Sequence, residues 1–442
     1  MGRSEDRSCY PHIHFAAHFG WINDPNGLVY HDGIYEMYYQ CNPQGVEWGN
    51  MTWGHARSRD LVNWEEMPPV LHPDENGAMY SGCGLRNDRA LLGMSGDTLF
   101  FFYTAAPSRA ERKNGKEFTI RFAYSTDGGD TLIKTGDPVL ASAERENRDP
   151  KVFWHEESKA YIMLLWLKGN EFSIWRSKDL KQFTLTQRLV LDGGFECPDL
   201  MKLPMIDESG RDTGEFKWLF WEAAGNYYLG DFDGYTFTQT QEKMNAYANP
   251  LPYAAQTWYG TPDEKTLSLS WLRTACISRQ TTGVMALPRE FSLVKKGEKL
   301  ILKQSLPSIV TDKCGGPVTL SSGAAAGVSD KAIRFTVDDD GAEGYQIDLF
   351  SSDSDTDPML SIIYRKSDSY LVFICGEISH GQRYSFDPRN SWDIVYDRGI
   401  IEMSTGGDTF LYIDDIPQLR TKACTAVRIS GEGVKASAAE FL

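Results

Sequence analysis

The chain consists largely of short runs of apolar and β-branched residues separated by Gly, Asp, Asn and Pro. In the first 295 residues these runs have strand length and a high aromatic content. The 3.6-residue periodicity of amphipathic helices is scarce in the same region. Representative runs are 33–40, 98–104, 160–166, 216–221 and 266–271. The pattern predicts an all-β domain over residues 1–295.

A weak internal repeat runs through this region. Segments that begin at Ser58, Ser125, Ser177 and Asp231 each follow an apolar strand and precede another strand. They begin 67, 52 and 54 residues apart, and a period near 50 residues with several strands per unit is typical of propeller blades. Five such units fit into 295 residues. The pattern alone does not separate a propeller from stacked sandwiches.

The pattern changes after residue 295. Residues 296–325 combine charged positions with Gly-, Ser- and Ala-rich stretches and are predicted to be a linker. Further on, strict alternation begins, as in Ile333–Val337, and short strands recur at a spacing of about 8–12 residues. This arrangement predicts an antiparallel β-sandwich over residues 326–442.

Charge and cysteine content exclude several classes of function. The 442 residues include 45 basic and 61 acidic side chains, a net charge of −16, which argues against a nucleic-acid or anionic-membrane partner. No run of about 18 apolar residues predicts a membrane span. Residues 1–7 lack the apolar core of a signal peptide, which predicts a cytoplasmic protein unless a leader is missing from this sequence. The eight scattered cysteines include no Cys-x-x-Cys, so we expect reduced thiols and no metal or other cofactor.

Candidate chemistry is concentrated in three short motifs, each of which contains a carboxylate. Trp-Ile-Asn-Asp-Pro-Asn-Gly at 21–27 is dense in turn-forming residues, but Trp21 and Ile22 are costly to expose at a turn tip. Arg-Asp-Pro at 148–150 and Phe-Glu-Cys-Pro-Asp at 195–199 hold two further carboxylates in constrained settings. Each motif alone is typical of a surface turn. Together they indicate a site built from several separated acids.

The three motifs, in this order, resemble those of the β-fructosidases of glycoside hydrolase family 32, which includes invertases, inulinases and levanases. Residues 48–49, 53–55 and 80–82 also resemble family segments, so the resemblance covers nearly the whole chain. It implies a five-bladed β-propeller with a central funnel, followed by a C-terminal β-sandwich. It also implies exo-acting, retaining release of terminal β-D-fructofuranosyl units from fructans, fructo-oligosaccharides or sucrose. The segment 48–55 is more similar to the inulinase and levanase branch than to plant invertases.

Retaining glycoside cleavage needs an ionised nucleophile and a protonated acid about 5–5.5 Å apart. Asp24 is the predicted nucleophile, and Asn23 with the N–H groups of the turn is expected to lower its pKa. Glu196 is the predicted general acid/base, and its apolar neighbours favour the protonated form. The resemblance assigns Asp149 to transition-state stabilisation. Arg148 is expected to pair with a catalytic carboxylate.

The resemblance also implies a sugar-binding shell. Its members are Asn23, Gln40, Trp48, Ser81, Arg148 and Trp258. Amide and hydroxyl groups can exchange hydrogen bonds with sugar hydroxyls, and indole rings can stack on an apolar sugar face. Each residue could instead be an ordinary core or strand residue, and for Trp258 that interpretation is nearly as strong. His55 is predicted to be a buried structural histidine, since the acid–base roles are already assigned.

Three alternatives stay open from the sequence. A fructosyltransferase would use the same scaffold with a sugar in place of water as the acceptor. A non-catalytic carbohydrate-binding propeller would not require three separated acids. An inverting arabinosidase-type propeller fits the contexts of Asp24 and Glu196 less well. The sequence does not distinguish sucrose, inulin-type and levan-type substrates.

Overall fold

The structure is a computed structural model that describes residues 8–207, 209–339, 342–351, 356–383, 391–405 and 410–442. These residues form two compact units, one spanning Phe15–Ile301 and one containing Leu302–Leu442 with the N-terminal residues up to His14. Helices are few and short in the described ranges: α1 (Arg109–Lys113), α2 (Ser308–Thr311), and 3-10 turns at Leu91–Gly93, Pro262–Glu264 and Pro417–Leu419. None of these described helices could cross a membrane.

The strands up to residue 305 are mostly arranged as consecutive antiparallel meanders. They are β1 (Gly20–His31), β2 (Ile34–Asn42), β3 (Thr52–Ser58), β4 (Trp64–Leu71), β5 (Ala78–Arg86), β6 (Leu99–Ala106), β7 (Thr119–Ser125), β8 (Ile133–Lys134), β9 (Arg148–His155), β10 (Ala160–Lys168), β11 (Glu171–Ser177), β12 (Thr184–Val190), β13 (Asp199–Ile206), β14 (Asp212–Trp221), β15 (Asn226–Phe232), β16 (Phe237–Gln239), β17 (Met244–Asn245), β18 (Pro252–Thr257), β19 (Leu267–Cys276), β20 (Thr281–Met285), β21 (Arg289–Lys296) and β22 (Lys299–Ser305). Strands β5–β8 and β9–β12 form two separate four-stranded sheets, and the others join into one 14-stranded sheet.

The first strands of successive meanders lie side by side, since β1 contacts β5 and β5 contacts β9. The second strands β6 and β10 are apolar on both faces because each is packed between two sheets. In β6, Phe100 and Phe102 face the sheet of β9–β12, whereas Phe101 packs with Tyr38 and Trp53 of the first meander. This packing of sheets around their first strands is that of a β-propeller, as predicted. The count of five blades stays a prediction.

The two neighbours of strand β1 come from opposite ends of the unit's sequence. It pairs antiparallel with β2, and it pairs in parallel with β20 through Gly20 opposite Thr281 and Trp21 opposite Thr282. The amide of Gly20 donates to the carbonyl of Gln280 at 2.7 Å. The strand that carries the first motif is therefore fixed by residues about 260 positions later in the chain.

The second unit contains two six-stranded sheets with the orders β23-β34-β25-β30-β31-β32 and β24-β33-β26-β27-β28-β29. Its strands are β23 (Val318–Leu320), β24 (Ala325–Gly327), β25 (Ile333–Asp338), β26 (Gly344–Phe350), β27 (Leu360–Arg365), β28 (Tyr370–Cys375), β29 (Ile378–Arg383), β30 (Ser391–Asp397), β31 (Ile400–Thr405), β32 (Leu411–Asp415), β33 (Ala426–Ser430) and β34 (Lys435–Glu440). In β25, buried Ile333, Phe335 and Val337 alternate with more exposed residues. This is the alternation of a sandwich strand.

The segment 296–325, which the sequence analysis assigns to a linker, carries regular structure. It contains the last residue of β21, all of β22, α2 and β23, and the first residue of β24. Leu302 and Val310 are fully buried there. Isolated apolar residues among Gly, Ser and charged positions therefore pack into the fold, which composition alone does not reveal.

A buried ion cluster holds the N-terminal segment within the second unit. The Nδ1 atom of His14 lies 2.8 Å from Asp397 Oδ2, and its Nε2 atom lies 3.2 Å from Glu402 Oε1. The amides of His12 and Ile13 also donate to the Asp397 carboxylate. Burial by itself would lower the pKa of His14, but the hydrogen bonds and charges of the two carboxylates raise it to about 9.

Candidate active site

The three carboxylate motifs converge on one pocket of about 200 Å³ in the first unit. Asp24 lies in β1, Asp149 lies in β9, and Glu196 lies just before β13. Their strands or loops meet because the first strands of the meanders are neighbours around a common centre. The pocket is lined by Asn23, Asp24, Gln40, Trp48, Tyr80, Ser81, Arg148, Asp149, Glu196, Tyr253 and Trp271.

Both oxygens of the Asp24 carboxylate accept hydrogen bonds from neutral donors. Asn23 Nδ2 donates to Oδ1 at 3.1 Å, and Ser81 Oγ donates to Oδ2 at 2.6 Å. Trp21 Nε1 donates to Asn23 Oδ1 at 2.8 Å, which fixes the orientation of the amide. The carboxylate is thus held in one orientation by partners that leave its charge uncompensated.

The expected direction of the Asp24 pKa is wrong. Burial raises the pKa of this carboxyl, and the nearby Glu196 raises it further. The hydrogen bonds from Ser81 and Asn23 lower it, as the sequence analysis predicts for Asn23, but they do not outweigh burial. The position of Asp24 on an inner strand, rather than its turn-like sequence, decides the balance.

Asp149 is the most enclosed of the three acids, with 4% of its surface exposed. Its backbone has a left-handed φ of 61°, and its N–H donates to Thr104 Oγ1 at 3.1 Å. Its Oδ2 accepts the N–H of Cys197 at 3.1 Å. Burial raises the pKa of Asp149 to about 7; Arg148 opposes this effect, and the charges of Glu196 and Asp24 add to it.

Glu196 has polar partners on both carboxylate oxygens. Arg148 donates to Oε1, with its Nε atom at 3.1 Å, and Tyr253 Oη donates to Oε2 at 2.9 Å. The expected apolar surroundings are not found, because the ring of Phe195 is 42% exposed and packs against Trp166 instead. The same indole ring of Trp166 also contacts Arg148, whose guanidinium carbon lies 3.9 Å from the ring centre. Arg148 is thereby fixed between the indole and the carboxylate.

Five of the six predicted shell residues line the pocket with the acids: Asn23, Gln40, Trp48, Ser81 and Arg148. Gln40 is buried, and its Nε2 donates to the carbonyl of Met79 at 2.8 Å. Trp48 is 56% exposed and packs edge-on against Tyr80. The shell therefore combines a fixed amide deep in the pocket with an open indole face at its edge.

The prediction for Trp258 is wrong. Its side chain is 5% exposed, its Nε1 donates to the backbone carbonyl of Glu36 at 3.0 Å, and its ring packs edge-on against Tyr35. It belongs to the core of the propeller, one position beyond the end of β18.

His55 is a buried structural residue, as predicted, since its Nε2 lies 2.6 Å from Glu36 Oε2.

Sequence reasoning missed three pocket residues, Tyr80, Tyr253 and Trp271. Tyr80 lies in a segment that resembles the family, so a signal for it was present. Tyr253 and Trp271 lie in apolar strand-like runs, where an aromatic residue that faces a pocket has the same pattern as one that faces the core. Cys197 was recognised only as part of a motif; its buried thiol lies 3.8 Å from Asp24 Oδ2 and 3.7 Å from Asp149 Oδ2.

Comparisons with known proteins identify the family of the chain. Residues 14–304 match the N-terminal domain of glycosyl hydrolases family 32. The levanase of Bacillus subtilis (strain 168) is 36% identical over 293 residues, covering 60% of this chain and 41% of that protein. The extracellular exo-inulinase of Aspergillus awamori is 32% identical over 345 residues, covering 66% of this chain and 63% of that protein. The chain thus spans less than two thirds of either relative.

Solved structures share the fold over the full length of the chain. The exo-inulinase from Aspergillus awamori matches with a TM-score of 0.83 at 23% identity, covering 100% of this chain and 99% of the other. The fructofuranosidase from Schwanniomyces occidentalis complexed with fructose matches with a TM-score of 0.82 at 22% identity, covering 99% of each chain. The all-β architecture, a propeller followed in sequence by a β-sandwich, is confirmed.

Proposed function

Because the chain belongs to glycosyl hydrolase family 32, we propose that it is a retaining β-fructosidase that releases terminal β-D-fructofuranosyl units. The substrates are fructans, fructo-oligosaccharides or sucrose. The observation that carries the proposal is the meeting, in one pocket, of two carboxyl groups with different partners. Asp24 has neutral donors on both oxygens, whereas Glu196 is held by a guanidinium and a phenol.

In the first step, the Asp24 carboxylate attacks the anomeric carbon of the fructosyl unit. The bond to the leaving oxygen breaks as Glu196 transfers its proton to that oxygen, and a fructosyl ester of Asp24 forms. In the second step, Glu196 removes a proton from water, and the hydroxide attacks the same carbon. Fructose leaves with its β-configuration, Asp24 is free again, and Glu196 has regained its proton.

The remaining pocket residues stabilise charge and position the acid. A buried Asp149 beside the reaction centre favours the positive charge of an oxocarbenium-like transition state and accepts sugar hydroxyls. Arg148 and Tyr253 together fix both oxygens of Glu196, which limits the side chain to one orientation.

The size of the pocket supports action on chain ends. Its volume is about 200 Å³, below the range of about 300–1,000 Å³ of pockets that enclose drug-sized ligands. A single sugar ring fits this space better than several consecutive units do. The exposed face of Trp48 at the pocket is suited to stack on the unit next to the cleaved bond.

The proposal is tested by incubating the purified protein with sucrose, kestose, inulin and levan, and separating the products by chromatography. We expect free fructose as the first product, with a shortened chain or glucose as the other. Asp24→Asn, which removes the nucleophile, should abolish this release. Its matched control is Asp179→Asn, which changes a carboxylate in a surface turn of the same unit and should keep the activity. Products longer than the substrate would favour a fructosyltransferase, and no cleavage of any β-fructoside would overturn the proposal.

A further inference from the structure

A glutamate outside the pocket contacts the backbone of the loop that carries Glu196. Glu222 follows β14 and is fully buried. Its Oε2 accepts the N–H of Phe195 at 3.0 Å, and its Oε1 accepts the N–H of Asn226 at 2.7 Å. One carboxylate thus joins the loop to the turn between β14 and β15.

The loop needs such support because two consecutive residues have strained backbones. Glu196 has a φ of 56° and Cys197 a φ of 42°, a left-handed region that costs non-glycine residues about 1–3 kcal/mol each. Ala223, the residue after Glu222, provides a second attachment for this loop. The N–H of Ala223 is shared between the carbonyls of Phe195 and Glu196, at 3.3 and 3.2 Å. Ala223 is itself held through its carbonyl by the N–H of Ala254 at 2.8 Å.

On the basis of the acid/base role proposed for Glu196, we propose that Glu222 is a positioning residue for that acid. It fixes the backbone of residues 195–197 so that the Glu196 carboxyl reaches the leaving oxygen. Arg148 and Tyr253 set the orientation of the carboxyl, and Glu222 sets the position of the backbone from which it extends. Small displacements of such a group cost catalysis steeply.

The chemistry of Glu222 suits this role better than that of a neutral side chain. A carboxylate accepts N–H groups on both oxygens, whereas a glutamine amide accepts on only one and places an NH2 group against the other donor. Burial raises the pKa of Glu222 to about 7, although the N–H groups of Asn226, Ala224 and Phe195 lower it. A buried carboxylate beneath the loop is costly, and a neutral, purely structural hydrogen-bonding residue would avoid that cost.

The test is Glu222→Gln, assayed with sucrose and with β-fructosyl fluoride. Protonation matters for the sugar leaving group and little for fluoride. If the variant misplaces Glu196, kcat/KM on sucrose, which reports the glycosylation step, should fall at least about tenfold more than kcat/KM on the fluoride, within the about 10²–10⁴-fold range of acid–base assistance.

The matched control is Glu36→Gln. Glu36 is also a buried glutamate of the first unit, with 2% exposure, and it bonds His55 rather than the acid/base loop. It should lose stability without changing the ratio of the two kcat/KM values. If Glu222→Gln does not fold, Glu222→Asp, which keeps both acceptor oxygens and shortens their reach, is assayed for the same ratio.

Glu196→Gln is measured in parallel, so that two kinds of failure are separated. If Glu196→Gln itself lacks the dependence on the leaving group, the proposed acid/base role fails. If Glu196→Gln has the dependence but the Glu222 variants lose both activities equally or lose neither, the positioning role alone is refuted.

Discussion

Replacing His14 with glutamine should make the stability of the second unit much less dependent on pH between 6.5 and 9. In the folded protein the pKa of His14 is raised from 6.5 to about 9 by Asp397 and Glu402, against the effect of burial. A group whose pKa is raised by folding stabilises the protein fully below its unfolded pKa. That stabilisation is lost as the pH rises through the folded pKa.

The size of the effect follows from the shift. At about 1.4 kcal/mol per pKa unit, a rise from 6.5 to about 9 corresponds to about 3 kcal/mol of unfolding free energy. The imidazolium is fully buried with both carboxylates, so solvent screening should reduce this figure little. Removing the cation leaves two buried carboxylates without their partner, which typically costs about 3–5 kcal/mol.

The assay is urea unfolding of the wild type and His14→Gln at closely spaced pH values from 6 to 9.5. The stability difference between the two proteins should be largest near pH 6 and should shrink by about 3 kcal/mol by pH 9.5. The control is His72→Gln, which changes an exposed histidine and should leave the free energy of unfolding nearly unchanged. The imidazole of His14 can also be titrated directly by NMR. A His14 pKa at or below 6.5, or a stability gap that does not vary with pH, would refute the reasoning.

The remaining predictions concern the pocket. Asp24→Ala should lower kcat by several powers of ten while the protein stays folded; more than about a tenth of wild-type kcat would exclude Asp24 as nucleophile. Early-time NMR of the products should show β-fructose first, and α-fructose would indicate an inverting reaction. Ser81→Ala removes a hydrogen bond that lowers the pKa of Asp24. The acid limb of kcat/KM should therefore move to higher pH, and an unmoved limb would argue against Asp24 as the group that must be ionised. Trp48→Ala should raise KM for inulin by about fivefold or more, since a ring contact is worth about 1 kcal/mol or more, with a smaller effect on kcat.

Local sequence carried much of the fold and the identity of the acids. Alternating and continuous apolar runs predict strands because the faces of a strand that are buried are the ones that carry apolar residues. Ile333–Val337 is an example. The motifs of Asp24, Asp149 and Glu196 were recognisable because they occur together and in the order found in the family. The left-handed φ of Asp149 and of Glu196 could not be read from these motifs.

What the sequence could not supply depends on contacts between distant segments. The raised pKa of Asp24 comes from burial on an inner strand. One partner of the Glu196 carboxyl is Tyr253, which lies 57 residues further along the chain. Trp258 was misplaced for the same reason, since a tryptophan near a strand end faces the core or the pocket according to the twist and register of the sheet. Neither the twist nor the register of the sheet can be inferred from the sequence of a single strand.

The parallel pairing of β1 with β20 has a consequence for how the protein is made. Trp21 is synthesised early, whereas its partner Thr282 follows after roughly 260 residues. At a synthesis rate of about 5–20 residues per second, that interval lasts on the order of 13–50 seconds. Throughout it, the strand that carries Asp24 has an edge without its final neighbour, and such edges invite pairing with other chains. The nascent chain is therefore exposed to misassembly at the strand on which its proposed chemistry depends until β20 has left the ribosome.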